Sequence, residues 1–175
     1  MRTLPLATLH RVLAASILTF AAACAEEPRD PASTRGPGPS TAASGAGTLD
    51  LEADVAVMES FPVQLRGTLR VTNPSDGPVS FDVGGCPVFL RVYDADGAPV
   101  WDQGDGAICT MILRTVRLES GGAETFDTGT ASAADILGED RPDGAYRVVV
   151  YLALVSGGQP EADAGEVSLA IPREP

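Results

Sequence analysis

Leu49-Asp50-Leu51-Glu52-Ala53-Asp54-Val55-Ala56-Val57 is the stretch that decides the fold. Leu49, Leu51, Ala53, Val55 and Val57 alternate with Asp50, Glu52 and Asp54, and an extended strand with one buried face turns that period of two into a packing surface. The same period recurs downstream. Val63, Leu65, Leu69 and Val71 face one way and Gln64, Arg66, Thr68, Arg70 and Thr72 the other, ahead of the turn Asn73-Pro74-Ser75-Asp76-Gly77. Val79, Phe81 and Val83 continue the alternation as far as Gly84-Gly85. Val88 to Tyr93 and Ala98 to Trp101 flank Asp94-Ala95-Asp96-Gly97, a hairpin signal. Met111 to Leu118 reads as a strand, Glu119-Ser120-Gly121-Gly122 as a turn, and Thr125 to Thr128 as a shorter strand. Ser132 to Leu137 reads as a single helical turn capped by Ser132. Tyr146 to Val155, the most continuously apolar run, reads as a central strand, and Val167 to Ile171 as the last one before Pro172. About eight or nine short strands and no long helix predict an all-β fold, an antiparallel immunoglobulin-like β-sandwich of one domain over 49–172. A small barrel satisfies the same periodicity.

Ahead of the strands the chain changes character. Arg2 and Arg11 precede a short apolar run, Val12 to Phe20, which is too short to cross a bilayer and reads as a signal peptide over 1–23. Phe20-Ala21-Ala22-Ala23-Cys24 resembles the lipobox of bacterial lipoproteins. That resemblance implies cleavage before Cys24, acylation of its thiol, and export to the cell envelope as a lipid-anchored protein. Ala25 at the next position implies the outer membrane, facing the periplasm, by the sorting logic of similar lipoproteins. Residues 24–48 carry Pro, Gly, Ser, Thr and Ala without a large apolar side chain, and predict a flexible linker that holds the folded part clear of the membrane.

Composition narrows the function. The 175-residue chain has net charge −12, and removal of 1–23 takes away two of its twelve cationic residues and none of its 24 acidic ones. Such a surface excludes nucleic acid, because binding there rests on cations that displace counterions from phosphate. It also excludes charge-driven adhesion to anionic lipid, so membrane attachment must come from the acyl chains on Cys24. The single histidine, His10, lies in the signal peptide, so Ser/His and Cys/His nucleophiles are absent from the mature domain. With Cys24 assigned to lipid, Cys86 and Cys109 are left to pair as a structural disulfide in an oxidising compartment.

The remaining candidates are weaker. Asp94, Asp96, Asp102 and Asp105 cluster around the hairpin, as a calcium site or an acid/base pair would need, but turns favour aspartate for its local capping bonds. Turn chemistry is therefore the preferred reading, with no catalytic residue, metal or cofactor expected. Trp101, Tyr93, Tyr146 and Tyr151 read as core, and Phe61-Pro62 as a bend. Between Gln103 and Met111 a cystine-anchored loop has the makings of a segment presented to a protease cleft, with Met111 in the specificity pocket. The simpler reading has Thr110 and Met111 begin the next strand.

Several motifs occur in one order. Val71-Thr72-Asn73-Pro74-Ser75 with Pro78-Val79-Ser80-Phe81, then Val92-Tyr93-Asp94-Ala95-Asp96-Gly97-Ala98-Pro99-Val100-Trp101, then Leu118 with Gly122 and Asp143-Gly144-Ala145-Tyr146-Arg147-Val148 resemble the BsuPI-type intracellular proteinase inhibitor domain. The resemblance covers about Leu65 to Leu152, departs at Gly84-Gly85-Cys86-Pro87, and implies the sandwich fold and, as an alternative function, protease inhibition. The leading expectation is a non-catalytic protein-binding module on a lipid anchor. A structural envelope accessory is the blander alternative.

Overall fold

A computed structural model describes residues 32–35, 40–44, 47–60 and 63–171. The expected signal peptide over 1–23, the expected lipidation site Cys24 and the bend expected at Phe61-Pro62 lie outside them. The strands are β1 (Ala32–Arg35), β2 (Ser40–Ser44), β3 (Gly47–Met58), β4 (Gln64–Thr72), β5 (Val79–Tyr93), β6 (Pro99–Asp102), β7 (Arg114–Leu118), β8 (Ala123–Asp127), β9 (Ala131–Ser132), β10 (Gly144–Leu154) and β11 (Glu161–Leu169), with one short helix, α1 (Ala133–Leu137).

Two antiparallel sheets form a sandwich. In the first, β4 pairs with β3 on one side and with β8 and β9, end to end, on the other, while β1 and β2 lie end to end along the far edge of β3. In the second, the order is β11-β10-β5, with β6 and β7 sharing the free edge of β5. Layers β3-β4-β8 and β11-β10-β5-β6, with the chain crossing between sheets after β4, after β7 and again before β10, give the immunoglobulin-like arrangement. The helix begins where Ser132 accepts a hydrogen bond from the Asp135 N–H, as its capping position predicts.

The inward positions of the alternating strands make the core. Leu49, Leu51 and Val55 of β3 and Leu65, Leu69 and Val71 of β4 oppose Leu90 and Val92 of β5 and Val148, Val150 and Leu152 of β10, all fully buried. The sheets approach closely at Gly67. A Cβ there would lie 2.7 Å from Leu90 Cδ2 and 3.0 Å from Val150 Cγ2, so a side chain at this position would force the layers apart. Tyr146, at the start of β10, sends its hydroxyl back to the Pro142 carbonyl at 2.7 Å, the tyrosine-corner contact typical of this class.

Two strand expectations need revision. Gly84-Gly85 does not end a strand, because β5 runs through it: partners jump from Leu152↔Val88 to Leu154↔Val83, and the surplus residues form a bulge. Pro87, which has no N–H to offer a ladder, sits inside that bulge. The strand expected from Met111 begins only at Arg114. Within 24–48, segments 32–35 and 40–44 pair along β3, since backbone pairing to an open edge needs no large apolar side chain.

Candidate functional site

The connection from β6 to β7 is tightly fixed in its first half. Asp102 accepts hydrogen bonds from Arg91 Nε, the Tyr151 hydroxyl and the Gly104 N–H, each at 2.8 Å. Burial opposes ionisation of Asp102, but the bonds from Tyr151, Arg91 and Gly104 outweigh it and hold the carboxyl below the usual carboxylate range. Burial and the bond to Asp102 push the Tyr151 hydroxyl well above its ordinary value, so it stays protonated as the donor. The Arg91 guanidinium lies 4.5 Å from the Tyr151 ring centroid and bridges to Gln159 and Glu161. Gln103 then extends the β5 ladder: its N–H meets the Leu90 carbonyl, its Oε1 accepts the Leu90 N–H, and its Nε2 reaches the Gly129 carbonyl in the β8–β9 connection.

The second half behaves differently. Residues 107–113 belong to no helix, strand or turn. Cys109 is bonded to Cys86 of β5, with Cα atoms 5.6 Å apart. Thr110 packs so closely on Gly85 that a Cβ at 85 would overlap its hydroxyl and come within 2.6 Å of its carbonyl oxygen. Between these fixed points the apolar side chains turn outward. Ile108 and Met111 are fully exposed, and Ile112 and Leu113 are 62% and 64% exposed. Among the described residues the one other exposed large apolar side chain is Val155, so the apolar surface is concentrated on this segment. The reading in which Thr110 and Met111 begin a strand is thereby overturned. The β5 edge opposite them is taken up by the Gly84 to Pro87 bulge and the disulfide, and the ladder resumes only at Val83↔Arg114.

Behind the loop, where the two sheets part, is a cavity of about 260 Å³ walled by Cys86, Pro87, Phe89 and Ala107, with Gln103 and Asp127 also lining it. Asp127 is half exposed. It accepts a hydrogen bond from Thr68 at 3.1 Å and lies 3.7 Å from Arg66.

The other sequence candidates are at work locally. Asp94 Oδ1 accepts the N–H groups of Asp96 and Ala98 and closes its own hairpin turn. Asp102 is held by Arg91 and Tyr151, and among the described residues no group of three His, Cys, Asp or Glu is placed to hold a metal. Trp101 is partly buried against the core. Sequence reasoning missed Asn73 as more than a turn former. It is fully buried, its amide donates to the carbonyls of Gly77, Leu118 and Glu119, and its Oδ1 accepts from Ser75. The turn signal marked its place, but no local pattern marks acceptors 45 residues away.

No family model matches the chain, and no curated protein matches it. Among solved structures, a DUF1425 family member from a Shewanella species is 16% identical, with a TM-score of 0.35 over 66% of this chain and 88% of that one. A Bordetella pertussis protein designated ApaA is 16% identical, with a TM-score of 0.32 over 72% and 95%. These likenesses carry no functional argument, and the fold stands on the strand order above.

Proposed function

We propose that this is a lipid-anchored cell-envelope protein whose sandwich is a non-catalytic module that binds another protein through residues 103–113. The observation that carries the reading is the outward-facing set Ile108, Met111, Ile112 and Leu113 on a segment clipped to β5 by a disulfide. Exposed aliphatic side chains gain by leaving water, and a segment already held in shape loses less entropy when a partner closes over it. The anchor rests on the lipobox-like Phe20 to Cys24 and on an acidic surface that lipid would not attract by charge. Attachment would go through acyl chains on Cys24, with the outer membrane as the proposed site.

A photo-crosslinking side chain at Met111, compared with one at Asp76 in the Asn73 turn, tests the interface in the intact envelope. A discrete adduct from Met111 alone is expected; equal labelling from both positions would remove the reading. Metabolic labelling with a fatty acid, lost in Cys24→Ala, tests the anchor.

A second reading is protease inhibition, implied by the BsuPI-type resemblance. The full exposure of Met111 on a cystine-clipped segment favours it, since reactive loops of inhibitors are held in this way. Titration of a panel of serine proteases decides it, and absence of inhibition at micromolar concentration ends it.

A further inference from the structure

The chemistry around the loop says what kind of partner it suits. Three observations converge. First, β7 pairs with β5 and with no other strand among the described residues, so its second edge is open beside the apolar segment that leads into it. Second, the cavity behind the loop, at about 260 Å³, falls below the roughly 300 Å³ at which pockets for whole small molecules begin, and has the size of a slot for one long side chain. Its Cys86, Pro87, Phe89 and Ala107 walls suit an aliphatic stem, and the Asp127 carboxylate suits a cation at the end of it. Asp127 has carboxylate to spare, because it is half exposed and its one ion pair among the described residues, with Arg66, is long at 3.7 Å. Third, the chain carries net charge −12, while Arg114 and Arg117 of β7 are already matched by Glu124 and Glu119. The field around this edge therefore draws in a basic segment and repels a second copy of the same acidic chain.

We infer that the partner offers an extended, basic and apolar segment, which adds as a strand to the open edge of β7 and places one Lys or Arg side chain in the cavity against Asp127. Such β-augmentation takes its affinity from main-chain hydrogen bonds and apolar contact with Ile112 and Leu113, and its selectivity from the slot. The inference rests on the interface reading above and sharpens it.

The test uses the full chain carrying Cys24→Ala and a fluorescent, terminally blocked peptide of alternating valine and lysine, with its valine–glutamate counterpart as control. Saturable binding of the lysine peptide alone is expected. Asp127→Asn should weaken it about tenfold or more, the loss typical of a charge-assisted bond. Asp94→Asn, which removes the same charge at the distant hairpin turn, should leave binding unchanged, and Ile112→Ser with Leu113→Ser should weaken it. Equal weakening by the two Asp→Asn changes would reduce the effect to bulk charge and overturn the inference. So would a dimer in sedimentation velocity that Ile112→Ser abolishes, or vesicle binding through the same residues without peptide binding. A Met111 crosslink in the envelope together with charge-indifferent peptide binding would sink this inference and leave the interface reading standing; loss of both results removes both.

Discussion

The turn at Asn73 and the loop at Ile108 treat their side chains in opposite ways. Asn73 is polar and fully buried, with its amide and carbonyl oxygen engaged by five hydrogen bonds that tie the β4–β5 turn to the turn joining β7 to β8. Ile108 is apolar and fully exposed, on a segment whose anchors are a disulfide and the packing of Thr110 on Gly85. A buried amide with every group matched makes a rigid joint, since leaving any of them unmatched costs the full desolvation penalty. An exposed isoleucine contributes nothing to the fold, so its position has to be read in terms of what lies outside the molecule. One connection holds the sandwich together, and the other is held by it.

That contrast yields measurable expectations. Replacing Cys86 and Cys109 together by serine should lower unfolding free energy by roughly 3–4 kcal/mol, because the bridge closes a 23-residue separation. Chemical denaturation with and without reductant checks this, and a reductant-sensitive double variant would contradict it. Asn73→Ala should cost about 3 kcal/mol, as the Gly77, Leu118 and Glu119 carbonyls lose their donor. A loss below about 1 kcal/mol would show the joint to be dispensable and erase the comparison. Asp102→Asn should cost about 2 kcal/mol, since Arg91 and Asp102 are only 20% and 17% exposed.

The Asp102 variant also has a pH signature. The folded-state pKa of Asp102 is depressed, so its contribution is complete above the unfolded value of about 3.9 and is lost as pH falls through the lower folded value. Stability of the parent should therefore drop more steeply below about pH 4 than that of Asp102→Asn, as acid titration of circular dichroism would show. The smallest effect is expected at the loop tip. Changing Ile108, Ile112 and Leu113 to serine should alter stability by within about 0.5 kcal/mol while abolishing the crosslink from a side chain placed at Met111. A loss above about 1 kcal/mol would mean that these side chains pack in the folded protein after all.

Much of the sandwich was legible because strand periodicity is local. Leu49 to Val57 and Leu65 to Val71 announce their buried faces by alternation alone, and Ser132, Asp94 and Asn73 announce a cap and two turns through side-chain chemistry that acts within a few residues. The cysteine pair was also legible, since only two thiols remain once Cys24 is set aside. What could not be read locally was which outward residues meet. Arg91, Asp102 and Tyr151 come from three strands, and their cluster exists because the β5–β10 register places Tyr151 opposite Phe89, next to Arg91, while Gln103 docks the following loop on Leu90. The apolar run Met111 to Leu113 has a strand's composition and fails to form one, because a strand also needs a free edge to pair with. That edge is taken up by the Gly84 to Pro87 bulge and the disulfide. Alternation, turn residues and thiol count thus determined the layers and the staple. Register and edge occupancy, which depend on contacts far apart in the chain, decided where the protein turns its apolar side chains to the solvent.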